Sequence, residues 1–125
     1  MFNLFKETIF LLLVEDDADI IKLIKGILRG TKIKIYVSKT GEDALDIIRT
    51  KKIDIALVDY KLPYKNGILI CNEIREIRDI PIILETGEKM LCENTELTKE
   101  FQFDDVLCKP FDKEIVMNVL KKYLK

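Results

Sequence analysis

Histidine is absent from all 125 residues. Its absence removes Ser-His-Asp and Cys-His catalysis within the chain, histidine-ligated zinc, and any role as a carrier of phosphohistidine. Cysteine is scarce as well. Cys71, Cys92 and Cys108 are an odd number without CxxC spacing, which reads as three small apolar residues in a reducing compartment, with no chemistry assigned to them. Neither sign of charge is in excess: 21 basic and 22 acidic residues leave a net charge of -1. No long-range field therefore draws the chain to nucleic acid or to an anionic membrane. Long apolar runs are also missing. The longest, Ile9 to Val14, is far too short to cross a bilayer, and the start Met1-Phe2-Asn3-Leu4-Phe5-Lys6 lacks the basic-then-apolar order of a signal peptide. The expected address is the cytoplasm, with no membrane contact.

What is present suits one compact unit over residues 1–125, with 48% apolar residues and no room for a second domain. Apolar periodicity alternates between strand-like runs and helical spacing. The continuous run Ile9 to Val14 fits a strand covered on both faces. From Asp19, a helical stripe of Ile20, Leu23, Ile24, Ile27 and Leu28 follows and stops at Gly30. Ile33, Ile35 and Val37 alternate with Lys34 and Tyr36, as on an edge strand. Thr40 and Asp43 form a capping-box signal before a helix carrying Ala44, Leu45, Ile47 and Ile48, and 53–58 reads as another buried strand. After a turn-rich loop over 59–67 comes a helix with Ile70, Cys71, Ile74 and Ile77 inward. Pro81 to Leu84 is the fourth strand. A weakly patterned helix is expected over 88–102, where Met90, Leu91, Leu97 and Phe101 make a thin stripe. A short strand centred on Val106 and Leu107 precedes a last helix, capped by Asp112, with Ile115, Val116, Val119, Leu120 and Tyr123 inward.

Five strands alternating with five helices imply an α/β fold, a doubly wound parallel sheet covered on both faces in three layers. Such sheets bind ligands at the carboxyl ends of their strands. The residues there are Glu15-Asp16-Asp17, then Asp59, then Thr86-Gly87, then Lys109-Pro110. Taken singly, each is an ordinary cap, turn or solvated side chain. Gathered at one rim, the carboxylates repel one another and call for a hard divalent cation such as magnesium. Lysine then offers a compact positive charge for a phosphoryl group and threonine a hydroxyl donor. With histidine missing, aspartate is the natural nucleophile.

The motifs Leu13-Val14-Glu15-Asp16, Asp59-Tyr60-Lys61-Leu62-Pro63-Tyr64-Lys65-Asn66-Gly67, Pro81-Ile82-Ile83-Leu84-Glu85-Thr86-Gly87 and Lys109-Pro110-Phe111 resemble the response-regulator receiver family over essentially the whole chain. The resemblance implies a flavodoxin-like fold with strand order 2-1-3-4-5. It also implies a two-component phosphorelay switch rather than a turnover enzyme. Asp59 would accept a phosphoryl group from a sensor histidine kinase or phosphotransfer protein. Mg2+ would be held by Asp16, Asp59 and the backbone carbonyl of Lys61, with Glu15 acting through water. Lys109 would contact a phosphoryl oxygen across a cis Lys109-Pro110 peptide, Thr86 would report phosphorylation, and Asp17 would cap a helix. An output domain or target protein would read a surface including Met90, Leu91, Val106 and the outer side of 112–124, and the resemblance allows a phosphorylation-dependent homodimer.

Two positions depart from the family pattern. Val106 stands where an aromatic usually swings inward with the threonine. Glu85 stands where an apolar or small residue is usual, so its carboxylate must reach solvent or pair with a lysine. Lys61 and Glu88, two beyond Asp59 and Thr86, are expected to tune dephosphorylation through an ion pair. Two rival readings share parts of this pattern. A flavin-binding flavodoxin would need hydroxyls and glycine where Glu15-Asp16-Asp17 would repel phosphate. A magnesium-dependent phosphatase with an aspartyl nucleophile would need a second aspartate where Lys61 stands.

Overall fold

The computed structural model describes residues 7–124 apart from Tyr64 and Thr95, with backbone alone at Leu97 and Thr98. The expectations placed on 1–6, Tyr64, the Leu97 side chain and Lys125 lie outside the described residues. The elements run β1 (Ile9–Val14), α1 (Ala18–Leu28), β2 (Ile33–Ser38), α2 (Gly41–Thr50), β3 (Ile55–Asp59), the two-residue pair β4 (Lys61–Leu62) and β5 (Lys65–Asn66), α3 (Gly67–Ile77), β6 (Ile82–Thr86), α4 (Lys89–Glu93), α5 (Leu97–Glu100), β7 (Asp105–Cys108) and α6 (Lys113–Tyr123). Five of these strands form one sheet in the order β2-β1-β3-β6-β7, all parallel. Counting only those strands, the order is 2-1-3-4-5, the flavodoxin-like arrangement expected.

Strand residues alternate between two cores because successive side chains leave opposite faces of a sheet. Leu11, Leu13, Ile55, Leu57, Ile83 and Leu107 point to one face and pack under α1 and α6. Leu12, Val14, Ala56, Val58, Ile82 and Leu84 point to the other and pack under α2 and α3, with Leu91 and Phe103. Continuous apolar runs are therefore required in the central strands, whereas the edge strand β2 keeps Ile35, Tyr36 and Val37 only half-buried. Helix starts follow local chemistry. Asp17 accepts from the backbone N–H groups of Asp19 and Ile20, Thr40 from Asp43, Asn66 from Ile68 and Leu69, and Asp112 from Ile115. Gly30, at a φ of 81°, ends α1 in the left-handed region, where a glycine carries no Cβ penalty.

Three expectations about the helices need correction. The inner stripe of α1 keeps Ile24, Ile27 and Leu28, with Ile20 partly buried, but Ile21 joins it and Leu23 is 40% exposed. Ile77 and Ile115, at helix ends, also face solvent. The helix expected over 88–102 forms as two short pieces, α4 and α5, because its thin stripe anchors little more than Leu91 and because Asn94 leaves helical geometry at φ -108° and ψ 87°. Leu91 is consequently a core residue, while Met90 is 72% exposed.

The cysteine reading holds only for Cys71, which is buried and free, its thiol pushed up to about 12 by that burial. Cys92 on α4 and Cys108 at the end of β7 form a disulfide with Cα atoms 5.9 Å apart. Tertiary packing brings these cysteines together from 16 positions apart, so no local spacing could announce the pair. A loop of this size, closed covalently, stabilises by about 3 kcal/mol through the unfolded chain. Reduction of the oxidised protein is expected to lower its urea-unfolding free energy by about that amount, and Cys92→Ser should make stability insensitive to reductant. A wild type that unfolds identically with and without reductant would refute this.

Candidate functional site

Parallel register builds the site. Val14 lies opposite Val58, so Glu15 and Asp59, one residue further on, extend the same row, and Asp59 lies directly opposite Glu85. The row beneath is Leu13, Leu57 and Ile83, and side chains two apart on a strand share a face. Glu15, Asp59 and Glu85 therefore point toward the α1 and α6 side at the carboxyl end of the sheet. All three are buried, at 0%, 4% and 0% exposure. Their ligand oxygens lie within 4.8 Å of one another. Like charges on adjacent strands oppose folding unless something balances them.

Lys109, immediately after β7, supplies part of that balance. Its Nζ donates to Asp59 Oδ1 at 3.2 Å and stands 3.9 Å from both Glu15 Oε1 and Glu85 Oε1. One ammonium cannot neutralise three carboxylates. Burial, followed by the proximity and charge of Glu15, pushes the Asp59 carboxyl up to about 6, against the opposing pull of Lys109. Burial and then Glu15 likewise hold Glu85 well above the carboxylate range. For Lys109, burial alone would lower the pKa, but Asp59, Glu85 and Glu15 together raise it. Glu15 Oε2 accepts from the Asp17 N–H at 3.2 Å. Glu15 Oε1 and both Glu85 oxygens are buried without a hydrogen-bond partner. Of the two expected outcomes for Glu85 the second holds: it does not reach solvent but pairs with Lys109, at 3.9 Å, a longer contact than the 3.2 Å that Lys109 makes to Asp59. The apolar run that marks the fourth strand ends at Leu84, but pairing continues through Thr86, and alternate positions counted from Ile83 place Glu85 beside Asp59.

The other expected residues surround this row. Asp59, Tyr60, Lys61, Thr86, Gly87, Glu88 and Lys109 line a cleft of about 230 Å³. Thr86 is buried at the end of β6, its Oγ1 accepting from the Glu88 N–H at 2.9 Å. The Lys109 N–H donates to the Thr86 carbonyl at 2.8 Å, and the Lys109-Pro110 peptide is cis. Lys61 and Glu88 meet in an ion pair of 2.6 Å at the mouth of the cleft. Asp16 is exposed at the rim and outside the close carboxylate cluster, and Asp17 caps α1. Val106 lies opposite Leu84, half-buried, against the α2 and α3 core. Gly67 has a steric role. A Cβ there would stand 2.2 Å from the Asp59 carbonyl oxygen, so the loop returning from Asp59 closes only over glycine, held by the Gly67 N–H bond to the Tyr60 carbonyl at 2.7 Å.

A carboxyl that is harder to ionise folded than unfolded favours the folded state at low pH and loses that contribution as pH rises. For Asp59 the loss falls between its ordinary value of 3.8 and about 6. In metal-free protein, Asp59→Asn is expected to raise the melting temperature most above pH 6.5, with the gain shrinking toward pH 4. Thermal melts across that range check this, and a gain independent of pH would contradict it.

Residues 11–121 match the response regulator receiver domain family. The heme response regulator HssR of Staphylococcus aureus is 33% identical over 120 residues, covering 90% of this chain and 51% of the relative. This chain thus spans about half the length of that curated relative. Among solved structures, the N-terminal domain of the nisin resistance regulator NsrR superposes with a TM-score of 0.83 at 27% identity, over 95% of this chain and 100% of that one. The receiver domain of a sensor histidine kinase from Pseudomonas aeruginosa, solved with magnesium coordinated in its active-site cleft, gives a TM-score of 0.78 at 24% identity, over 93% and 97% of the two chains. The flavin-binding and phosphatase readings gain no support, and the exposed, ion-paired Lys61 offers no general acid two residues after Asp59. The chain is a receiver domain of the response regulator family, a signalling switch of two-component systems.

Proposed function

We propose that Asp59 is the phosphoacceptor of this receiver. The observation that carries the reading is a buried aspartate at the mouth of a cleft, with a lysine ammonium 3.2 Å away and the end of β6 as the opposite wall. An Asp59 oxygen attacks the phosphorus of a phosphohistidine on a partner kinase or phosphotransfer protein. The new O–P bond forms as the P–N bond breaks, and the electron pair leaves with the imidazole. Lys109 pairs with a phosphoryl oxygen once its bond to the free carboxylate is given up, and the Thr86 hydroxyl donates to another. The chain carries no histidine, so it cannot regenerate its own donor, and it acts as a switch rather than as a turnover enzyme.

The residues present fit a magnesium ion. Glu15 Oε1 is a buried carboxyl oxygen without a hydrogen-bond partner beside Asp59, and a hard cation takes such oxygens. Asp16, Asp59 and the Lys61 carbonyl would hold it, with Glu15 acting through water. Magnesium would supply positive charge to the phosphoryl oxygens during transfer. The chain acts in the cytoplasm, where a partner kinase presents its phosphohistidine; no helix among the described residues is long and apolar enough to cross a membrane. Phosphorylation adds about two negative charges, and its effect on an output domain or target is limited to its differential affinity for two conformations. The face formed by α4, β7 and α6, with exposed Met90 and Ile115, is where a target or a second phosphorylated copy would read the change.

Incubation with Mg2+ and acetyl phosphate, followed by intact mass, should add one phosphoryl group to the wild type and none to Asp59→Asn. An unlabelled wild type, or equal labelling of both, would reject the assignment. Lys61 and Glu88 close the cleft mouth through an exposed ion pair, which solvent screening makes a weak contributor to stability. Lys61→Ala should therefore leave the melting temperature nearly unchanged and shorten the phosphorylated lifetime several-fold by admitting water. An unchanged lifetime rules out a shielding role.

A further inference from the structure

Glu85 is the residue that the receiver reading does not use. It occupies the same sheet row as Glu15 and Asp59, is fully buried, and holds both oxygens without a hydrogen-bond partner. A carboxylate in that condition is costly to retain. Its oxygens face the two carboxylates beside it and a lysine no nearer than 3.9 Å. Lys109 already donates to Asp59 at 3.2 Å, so one ammonium is divided among three acids.

Resting on the receiver reading of Asp59, we propose that Glu85 is a further ligand of this chain's divalent-cation site, a buried carboxylate added to Glu15 and Asp59. With all three acids ionised, the buried row and Lys109 carry two excess negative charges, which one divalent ion offsets, while Asp16 lies outside the buried row, exposed to solvent at the rim. The donor set is all oxygen, which suits Mg2+ or Mn2+ rather than a metal that seeks nitrogen or sulfur. Magnesium sites commonly hold one or two protein carboxylates. A site with more of them binds the ion more tightly before any phosphate arrives, because affinity for hard cations rises with ligand charge. The ion also takes over the neutralisation that Lys109 shares out, leaving Nζ free to meet an incoming phosphoryl oxygen.

Binding of Mn2+ alone, read from the free-ion paramagnetic resonance signal and by calorimetry, tests this without phosphotransfer. Glu85→Gln and Glu85→Leu are compared with wild type and Asp59→Asn, with circular dichroism reporting the fold. Both Glu85 variants are expected to bind Mn2+ about ten- to a hundredfold more weakly. They should also melt higher than wild type in chelator and gain less stability on adding the ion. Wild-type binding that weakens in Asp59→Asn but is unchanged or tighter in either folded Glu85 variant overturns the role of Glu85 and leaves the receiver site standing. A wild type that binds no Mn2+ overturns both.

Discussion

Three carboxylates on one row of a parallel sheet, with a single ammonium among them, form the constraint around which this domain is arranged. Parallel pairing places Glu15, Asp59 and Glu85 on neighbouring strands, and burial deprives them of the water that would screen their repulsion. Each central strand is otherwise apolar on both faces, so the cost falls at the one end of the sheet where ligands of doubly wound folds bind. The packed body below is rigid enough to hold the acids together. An isolated loop bearing the same residues would let them separate.

Lys109 can serve all three acids because of where the chain turns. Lys109 follows β7 directly, and its N–H is tied to the Thr86 carbonyl. Gly67 does the equivalent work on the other side, letting the 59–67 loop fold back onto the Asp59 carbonyl. Position, charge and steric room at Asp59 thus depend on backbone contacts from three separate strand ends.

Much of this was legible beforehand because the relevant signals are local. Apolar runs marked the central strands, Asp17, Thr40 and Asp112 marked helix starts, and Gly30 marked a stop. Glu15, Asp59, Thr86 and Lys109 followed from strand ends alone, since the topology that gathers them is fixed by alternating strands and helices. What escaped was set by register and tertiary packing. Glu85 joins the row only because β6 pairs two residues further than its apolar run suggests, and an acidic residue at a strand end looks like the start of a loop. The Cys92 and Cys108 pairing depends on where α4 packs against β7. The broken segment between residues 88 and 102 reflects a stripe too thin to propagate a helix, a balance of many small terms that no single residue announces.

That short α4 also sets an order among the domain's local openings. Helices α1, α2, α3 and α6 each bury at least three residues in the cores, while α4 buries Leu91. Segments with few buried apolar contacts open at the low end of the free-energy range, independently of global unfolding. Once its disulfide is reduced, α4 becomes a small cooperative unit of its own, with amide exchange faster than that of the sheet. The sheet that carries Asp59 and its neighbours keeps its geometry while this loosely held unit opens and closes.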